Sequence, residues 1–355
     1  MAKMNLTLAG RVTGKLLLWM LGIVICGTVI TYFLSLKTIT RMQAENYHSK
    51  MLINYEYTRR VLSDVYVSVT NNVDFLESTL DKPEGQMDVM KRIVEHGTRV
   101  RSCGMNFISY YYPEKGQRYC PFAWRDHENP DVIMTEEKGD EDFDYLNAAW
   151  FKGVLENDTT EWSEPFFDGY DHVTALAAYM VPIHNADGTP VAVLGADISL
   201  DWLTKKLEET DSAYNAQTPF TTKILNLRSK SFIINHNGEF VTHPEGKQLE
   251  GVFYAHLKPV GHFDMAQLME RMKQGAISDK ESDQRFTFDG EECYLFYTPV
   301  KYTKWMMVSV VPCQLIDTLG MSYAMRHIGL MIVAMLLIAG LCYYYIRREE
   351  IMEEE

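Results

Sequence analysis

The chain is poor in the residues that carry covalent chemistry and in positive charge. Six cysteines are spread over 355 residues, and none stands in a CxxC pair. That spacing excludes a zinc ribbon or a dithiol redox centre at the level of motif. No HExxH, GxSxG or GxxxxGK[ST] segment occurs, which removes the metalloprotease, nucleophile-elbow and phosphate-loop readings. His236 and His243 are seven positions apart around an Asn-Gly pair, the pattern of hairpin residues rather than of metal ligands. The acids Asp140, Glu141, Asp142 and Asp144 lack the spacing of a calcium loop and read as a solvated stretch. Lysine and arginine number 34 against 48 aspartates and glutamates, for a net charge of −14. A nucleic-acid binder needs a basic face, so that class is excluded as well. No enzymatic activity, metal or cofactor is expected of these residues.

Glycine and proline are missing from Thr38 to Lys82, and within that stretch Leu62, Val65, Val69, Val73, Leu76 and Leu80 fall at three- and four-residue spacing. The spacing predicts one long helix with a single apolar face, about 65 Å if unbroken. Pro83 and Gly85 end it.

Charge is also absent from two long apolar runs, Leu16 to Leu36 and Ile328 to Ile346. Each meets the roughly 20 residues needed to cross a bilayer. The first run exceeds a signal-peptide core and has no small-residue cleavage site after it, so it reads as an uncleaved anchor. Lys3, Arg11 and Lys15 precede the first run, and Arg347 and Arg348 follow the second. The excess of basic residues places both termini in the cytoplasm and residues 37–327 outside, in the periplasm of a diderm bacterium. Of the cysteines, Cys103, Cys120, Cys293 and Cys313 then lie in a compartment where disulfides persist, and bridged and free states are both open.

Strand-like sequence fills the exported part. MNFISYYY and QRYCPFAW flank the turn PEKG; VTALAAYMVPI and PVAVLGADISL flank Asp187-Gly188; SFIINHNGEFVTHP turns at Asn237-Gly238. Tyr145 to Asn157, Asp201 to Glu209 and Asp264 to Gln274 show helical spacing, as does the short Met87 to His96. QRFTFDG, EECYLFYTPV and KWMMVSVVP supply three further strands, and YMVPI…VAVLGADISLDWL is echoed by FYTPV…WMMVSVVPCQLI. The expectation is an α+β fold of two tandem modules on a long stalk helix, between two transmembrane helices. The expected segments are a cytoplasmic N-terminus (1–15), first span (16–36), stalk (37–84), membrane-distal module (85–210), membrane-proximal module (211–326), second span (327–346) and cytoplasmic tail (347–355).

On that plan, and on its closing segments PVAVLGADISLDWL and KWMMVSVVP, the chain resembles the double Cache sensors. These are built of two PAS-like modules and serve bacterial chemoreceptors, sensor histidine kinases, diguanylate cyclases and membrane phosphatases as extracytoplasmic input. The resemblance covers about residues 38–325 and implies a small-molecule site in the distal module. One amino-acid-binding group of the family has a motif of the form Tyr-x4-Arg-x-Trp-Tyr, then Tyr-x-Asp, then a last Asp. Aligned on Trp150, this sequence reads Phe143, Ala148, Trp150, Phe151, then Phe166 and Asp168, then Asp197. The aromatic frame and both acids match, while alanine stands where the motif has the arginine that grips the ligand carboxylate.

The resemblance therefore implies a ligand with a cationic nitrogen, either an amine or quaternary ammonium compound, or an amino acid whose carboxylate is met by Arg118 or Arg125. Trp150, Phe151 and Phe166 would enclose the cation and Asp168 and Asp197 neutralise it. The competing readings are concrete. Trp150 and Phe151 also suit the core side of an amphipathic helix; only one of Phe166 and Phe167 can face a pocket in an extended strand; and Asp197 is placed to cap a helix opening near Ser199. The family further implies a homodimer, signalling through the second span to a cytoplasmic partner or to an output module that RREEIMEEE is too short to contain. A membrane-anchored solute-binding module without an output of its own is the alternative.

Overall fold

The computed structural model describes residues 8–139, 143–169, 173–216, 227–243, 251–260, 264–278 and 285–354. The acids Asp140, Glu141 and Asp142 lie outside the described residues, whereas Asp144 pairs with Arg118 at 3.2 Å.

Helix α1 runs from Leu8 to Ser78 without interruption, and from Thr38 onward it has no glycine or proline to break it. Leu62, Val65, Val69, Leu76 and Leu80 are all buried, so the apolar stripe read from the spacing is the packed one. A 3₁₀ turn at Pro83–Gly85 leads into α2 (Gln86–His96). Then follow β1 (Ser102–Phe107), β2 (Cys120–Arg125), β3 (Ile133–Lys138), α3 (Ala149–Asn157), the two-residue β4 (Glu161–Trp162) and β5 (Phe166–Phe167), β6 (Ala175–His184) and β7 (Pro190–Ser199). These strands form one antiparallel sheet in the order β3-β2-β1-β7-β6-β4, with β5 also paired to β6.

Helix α4 (Leu200–Ala216) leads to the second group: β8 (Lys230–Ile234), β9 (Phe240–Thr242), the single-turn α5 (Phe253–His256), β10 (Leu257–Pro259), α6 (Met265–Lys273), β11 (Arg285–Phe288), β12 (Glu291–Pro299), β13 (Met306–Pro312) and the closing helix α7 (Cys313–Glu354). The second sheet has the order β10-β11-β12-β13-β8-β9 and packs Phe232, Phe240, Phe253, Leu268, Met272 and Phe286 into one core. Gly238, at φ 86°, allows the Asn-Gly turn to reverse as the dipeptide predicts. Asp264 caps α6 by accepting from the Ala266 amide at 2.9 Å.

The chain divides into two compact units. One holds α1 up to Tyr47 together with α7, and the other holds the rest of α1 and both sheets. In the first, Trp19, Ile23, Phe33 and Leu34 are exposed on an apolar stretch that is long enough to cross a membrane. The fold is thus α+β, with two antiparallel sheets following a long N-terminal helix.

Three points go beyond the sequence reading. Strand β3 leaves four successive positions, Met134 to Glu137, out to solvent at a sheet edge, so it has no apolar alternation to read. Helix α4 continues to Ala216 through a polar stretch, held by tertiary contacts rather than by an apolar stripe. Cys26, Cys103, Cys120, Cys293 and Cys313 form no disulfide among the described residues, which closes the bridged alternative among them.

Candidate functional site

The first sheet has two differently dressed faces. Directly paired residues of neighbouring antiparallel strands point to the same side. The register therefore aligns Met134, Trp124, Ser102, Asp197 and Ala178 in one row, and Glu136, Phe122, Gly104, Gly195 and Met180 in the next. Cys120, Ala178, Met180 and Val193 of this face pack under Tyr145, Phe151 and Val154, so α3 and the turn before it cover it. The opposite face carries Cys103, whose sulfur lies 3.7 Å from that of Met90 on α2.

Two glycines shape the covered face. A methyl group on Gly104 would collide with the Phe122 ring at 2.7 Å, so this glycine lets the ring lie across the sheet. A methyl group on its partner Gly195 would meet only the Gly104 carbonyl oxygen, at 4.0 Å. Open space therefore stands over Gly195, between Asp197 on one side and Phe122 on the other.

Asp197 faces that space. Its Oδ2 accepts from the Ser102 hydroxyl at 2.5 Å. Burial pushes its carboxyl up to about 6; the Ser102 bond opposes the rise, the nearby Asp168 charge adds to it, and the Lys138 ammonium opposes it. The helix-cap alternative for Asp197 is not what the fold uses: the Ser199 hydroxyl accepts from the Trp202 amide at 3.3 Å. Asp168 is partly buried, and its amide donates to Thr174 O at 2.8 Å. An acid of β7 and an acid just past the end of β5 thus share one neighbourhood.

The aromatic candidates separate. Phe151 is 3 % exposed and edge-on to Tyr145 at 5.1 Å, which makes it core. The Tyr145 hydroxyl is itself spent on the backbone, donating toward Phe107 O at 2.9 Å and accepting from the Tyr119 amide at 3.0 Å. Trp150 and Phe143 are partly buried at the margin of the same cluster, as is Ala148. Phe166 and Phe167 are both exposed, on a strand of two residues beside Leu176 and Ala175. The alternation expected of an extended strand does not bury either ring.

Neither arginine offered for a carboxylate faces the acids. Arg125 is committed to backbone carbonyls: Val94 and Gly97 at the end of α2, Val100 at 3.1 Å and Pro130 at 3.2 Å. Arg118 bonds Asp144.

Sequence reasoning missed four residues of this face. Lys138 holds its Nζ 3.8 Å from the centre of the Phe122 ring, 5.5 Å from Phe143 and 5.9 Å from Trp124. The fourth is Asn106, 5 % exposed, whose Oδ1 has no hydrogen-bond partner among the described residues. Only the sheet register brings them onto one face with Asp197, and register is not visible in the local pattern of an exposed edge strand. Cys120 lies on the same face, but burial pushes its thiol up to about 12, so it is no nucleophile.

A sheet with a helix against each face, an acid pair beside a gap on one of them and a second sheet downstream has the plan of two tandem PAS-like modules. The Cache domain family (dCache_1) matches residues 25–317, and the chain belongs to it. Among solved structures, the extracellular domain of soHK1S-Z6, assigned as a histidine kinase, aligns with TM-score 0.58 and 16 % identity over 79 % of this chain and 98 % of its own. The periplasmic sensory domain of the Campylobacter jejuni chemoreceptor Tlp1 aligns with TM-score 0.58 and 12 % identity over 78 % and 98 %. The ligand-binding domain of Mlp24, solved with asparagine, aligns with TM-score 0.50 and 12 % identity over 79 % and 98 %. At these identities the likeness is one of fold. A comparison with curated proteins gives no match.

Proposed function

We propose that the chain is a membrane-anchored bacterial receptor whose distal Cache module binds a small ligand through an ammonium group. Asp197 carries this reading: a sheltered carboxylate with a raised pKa, beside a second carboxylate and open space over Gly195. Two acids in one neighbourhood repel, and a bound cation removes that cost. Amines and amino acids both fit this description, and Mlp24 was solved with an amino acid in its domain. In this reading Trp150, Phe143 and Asp168 border the ligand, Phe151 supports them, and Phe166 stands at the rim.

The exported part is residues 37–327 and both termini are cytoplasmic. Binding is relayed by a homodimer through the apolar part of α7, the second span, to a cytoplasmic partner or output domain. The chain itself has no catalytic role.

Calorimetric titration of the full chain in lipid nanodiscs with amines and amino acids tests the site. Asp197→Asn and Asp168→Asn are each expected to weaken binding at least tenfold. Binding that is unchanged in both variants sinks the proposal.

A further inference from the structure

The aromatic pocket next to the acids already holds a cation, and that cation belongs to the protein. Lys138 extends from the last position of edge strand β3, opposite Cys120 in register, and places its ammonium against Phe122 within reach of Phe143 and Trp124. All three contacts are within the range of cation–π attraction. Phe122 can present its face in this way because Gly104 beneath it has no side chain. The ammonium is also close enough to act on the Asp197 carboxyl.

We propose that Lys138 is the specificity-determining residue of this site: it occupies the Phe122–Phe143–Trp124 pocket, bars a second cation from it, and supplies the contact for an anionic group of the ligand. This rests on the reading of Asp197 and Asp168 as the ammonium site. An amine or quaternary ammonium ion would have to displace the lysine or sit against a like charge. A zwitterion has no such conflict, since its ammonium meets the acids and its anionic group meets Lys138. The arginine missing at Ala148, the residue before α3, is then replaced in charge from strand β3. Asn106, on the row of Val193 and with a buried amide not fully bonded, adds a polar group at this end of the face.

The test uses the full chain in nanodiscs. Its probes are the twenty common amino acids, the amine that each gives on decarboxylation, and tetramethylammonium, with binding read by calorimetry and melting temperature. The wild type is expected to respond to at least one amino acid and to neither its matching amine nor tetramethylammonium. Lys138→Met is expected to lose that amino acid at least tenfold and to gain an amine or tetramethylammonium, while Lys138→Arg keeps the wild-type preference. If Lys138→Met does not fold, Lys138→Gln takes its place, and the arginine variant still reports on charge. A wild type that binds amines as tightly as amino acids, with the same profile in Lys138→Met, overturns the inference and leaves the acid site standing. Silence of the wild type and every variant toward every probe overturns the acid site and the inference together.

Discussion

Asp197 keeps its proton to higher pH in the fold than in the open chain, and two consequences follow with opposite signs. Its carboxyl rises from 3.8 to about 6, chiefly through burial. Between those values the folded state holds a proton that the unfolded chain has released, so stability falls as pH rises from about 4 to about 6. The ionised group above that range is a cost to the empty protein. Asp197→Asn is accordingly expected to raise the melting temperature of the ligand-free chain at pH 7.5, by on the order of 1–3 kcal/mol of stability. Ligand acts in the other direction, because an ammonium group prefers the ionised acid. Ser102, Asp168 and Lys138, the groups that face Asp197, set the midpoint. Affinity for an ammonium-bearing ligand should therefore fall about tenfold per unit below pH 6 and level off above it. Titration calorimetry between pH 5 and 7.5 checks this; an affinity flat across that range removes Asp197 from the site.

At the scale of elements, periodicity made most of the fold legible and almost none of the site. The stripe of Leu62, Val65, Val69 and Leu76 announced α1, and the Asn-Gly and Asp-Gly turns announced two hairpins, because each signal is local. Asp168 and Asp197 were legible only through a family pattern. Lys138, Phe122 and Trp124 were not legible at all, since their meeting depends on which strands pair. Another long-range meeting holds the extension of α4 in place. Lys50 of α1, with a side chain 0 % exposed, pairs with Asp211 of α4 at 2.6 Å and donates to Ser229 at 2.7 Å. Asp211 also accepts from the amide and hydroxyl of Ser231 on β8. Burial lowers the Lys50 pKa, and Asp211 opposes that shift. Removing one partner strands a buried charge, at a cost of about 3–5 kcal/mol. Asp211→Ala should thus melt far below the wild type, whereas Lys50→Met with Asp211→Leu should recover much of the loss. If the double variant melts no higher than Asp211→Ala, the network rather than the stranded charge holds this junction.

Across the whole molecule, in the proposed receptor ligand energy would reach the cytoplasm only as a difference in affinity between two arrangements of the protein. The sheet that carries Asp197 continues from β7 directly into α4, and α4 meets β8 of the second sheet through Asp211. The second sheet in turn runs from β13 into α7 without a linker. A shift of β7 on closing over a ligand would therefore have a covalent and hydrogen-bonded route toward the apolar helix, by way of the Asp211–Ser231 bonds and the second sheet. Leu330, Leu336 and Leu337 of α7 are exposed in the single chain, as expected of positions that meet lipid or a second copy. With Cys26 and Cys342 replaced by serine, single cysteines at these three positions should cross-link between chains at a rate that depends on residue. Addition of a binding amino acid is expected to change the ranking of the three rates, and Asp197→Asn should abolish the change while leaving the basal ranking intact. Identical rates with and without bound ligand would mean that the sensor captures its ligand and sends nothing through α7.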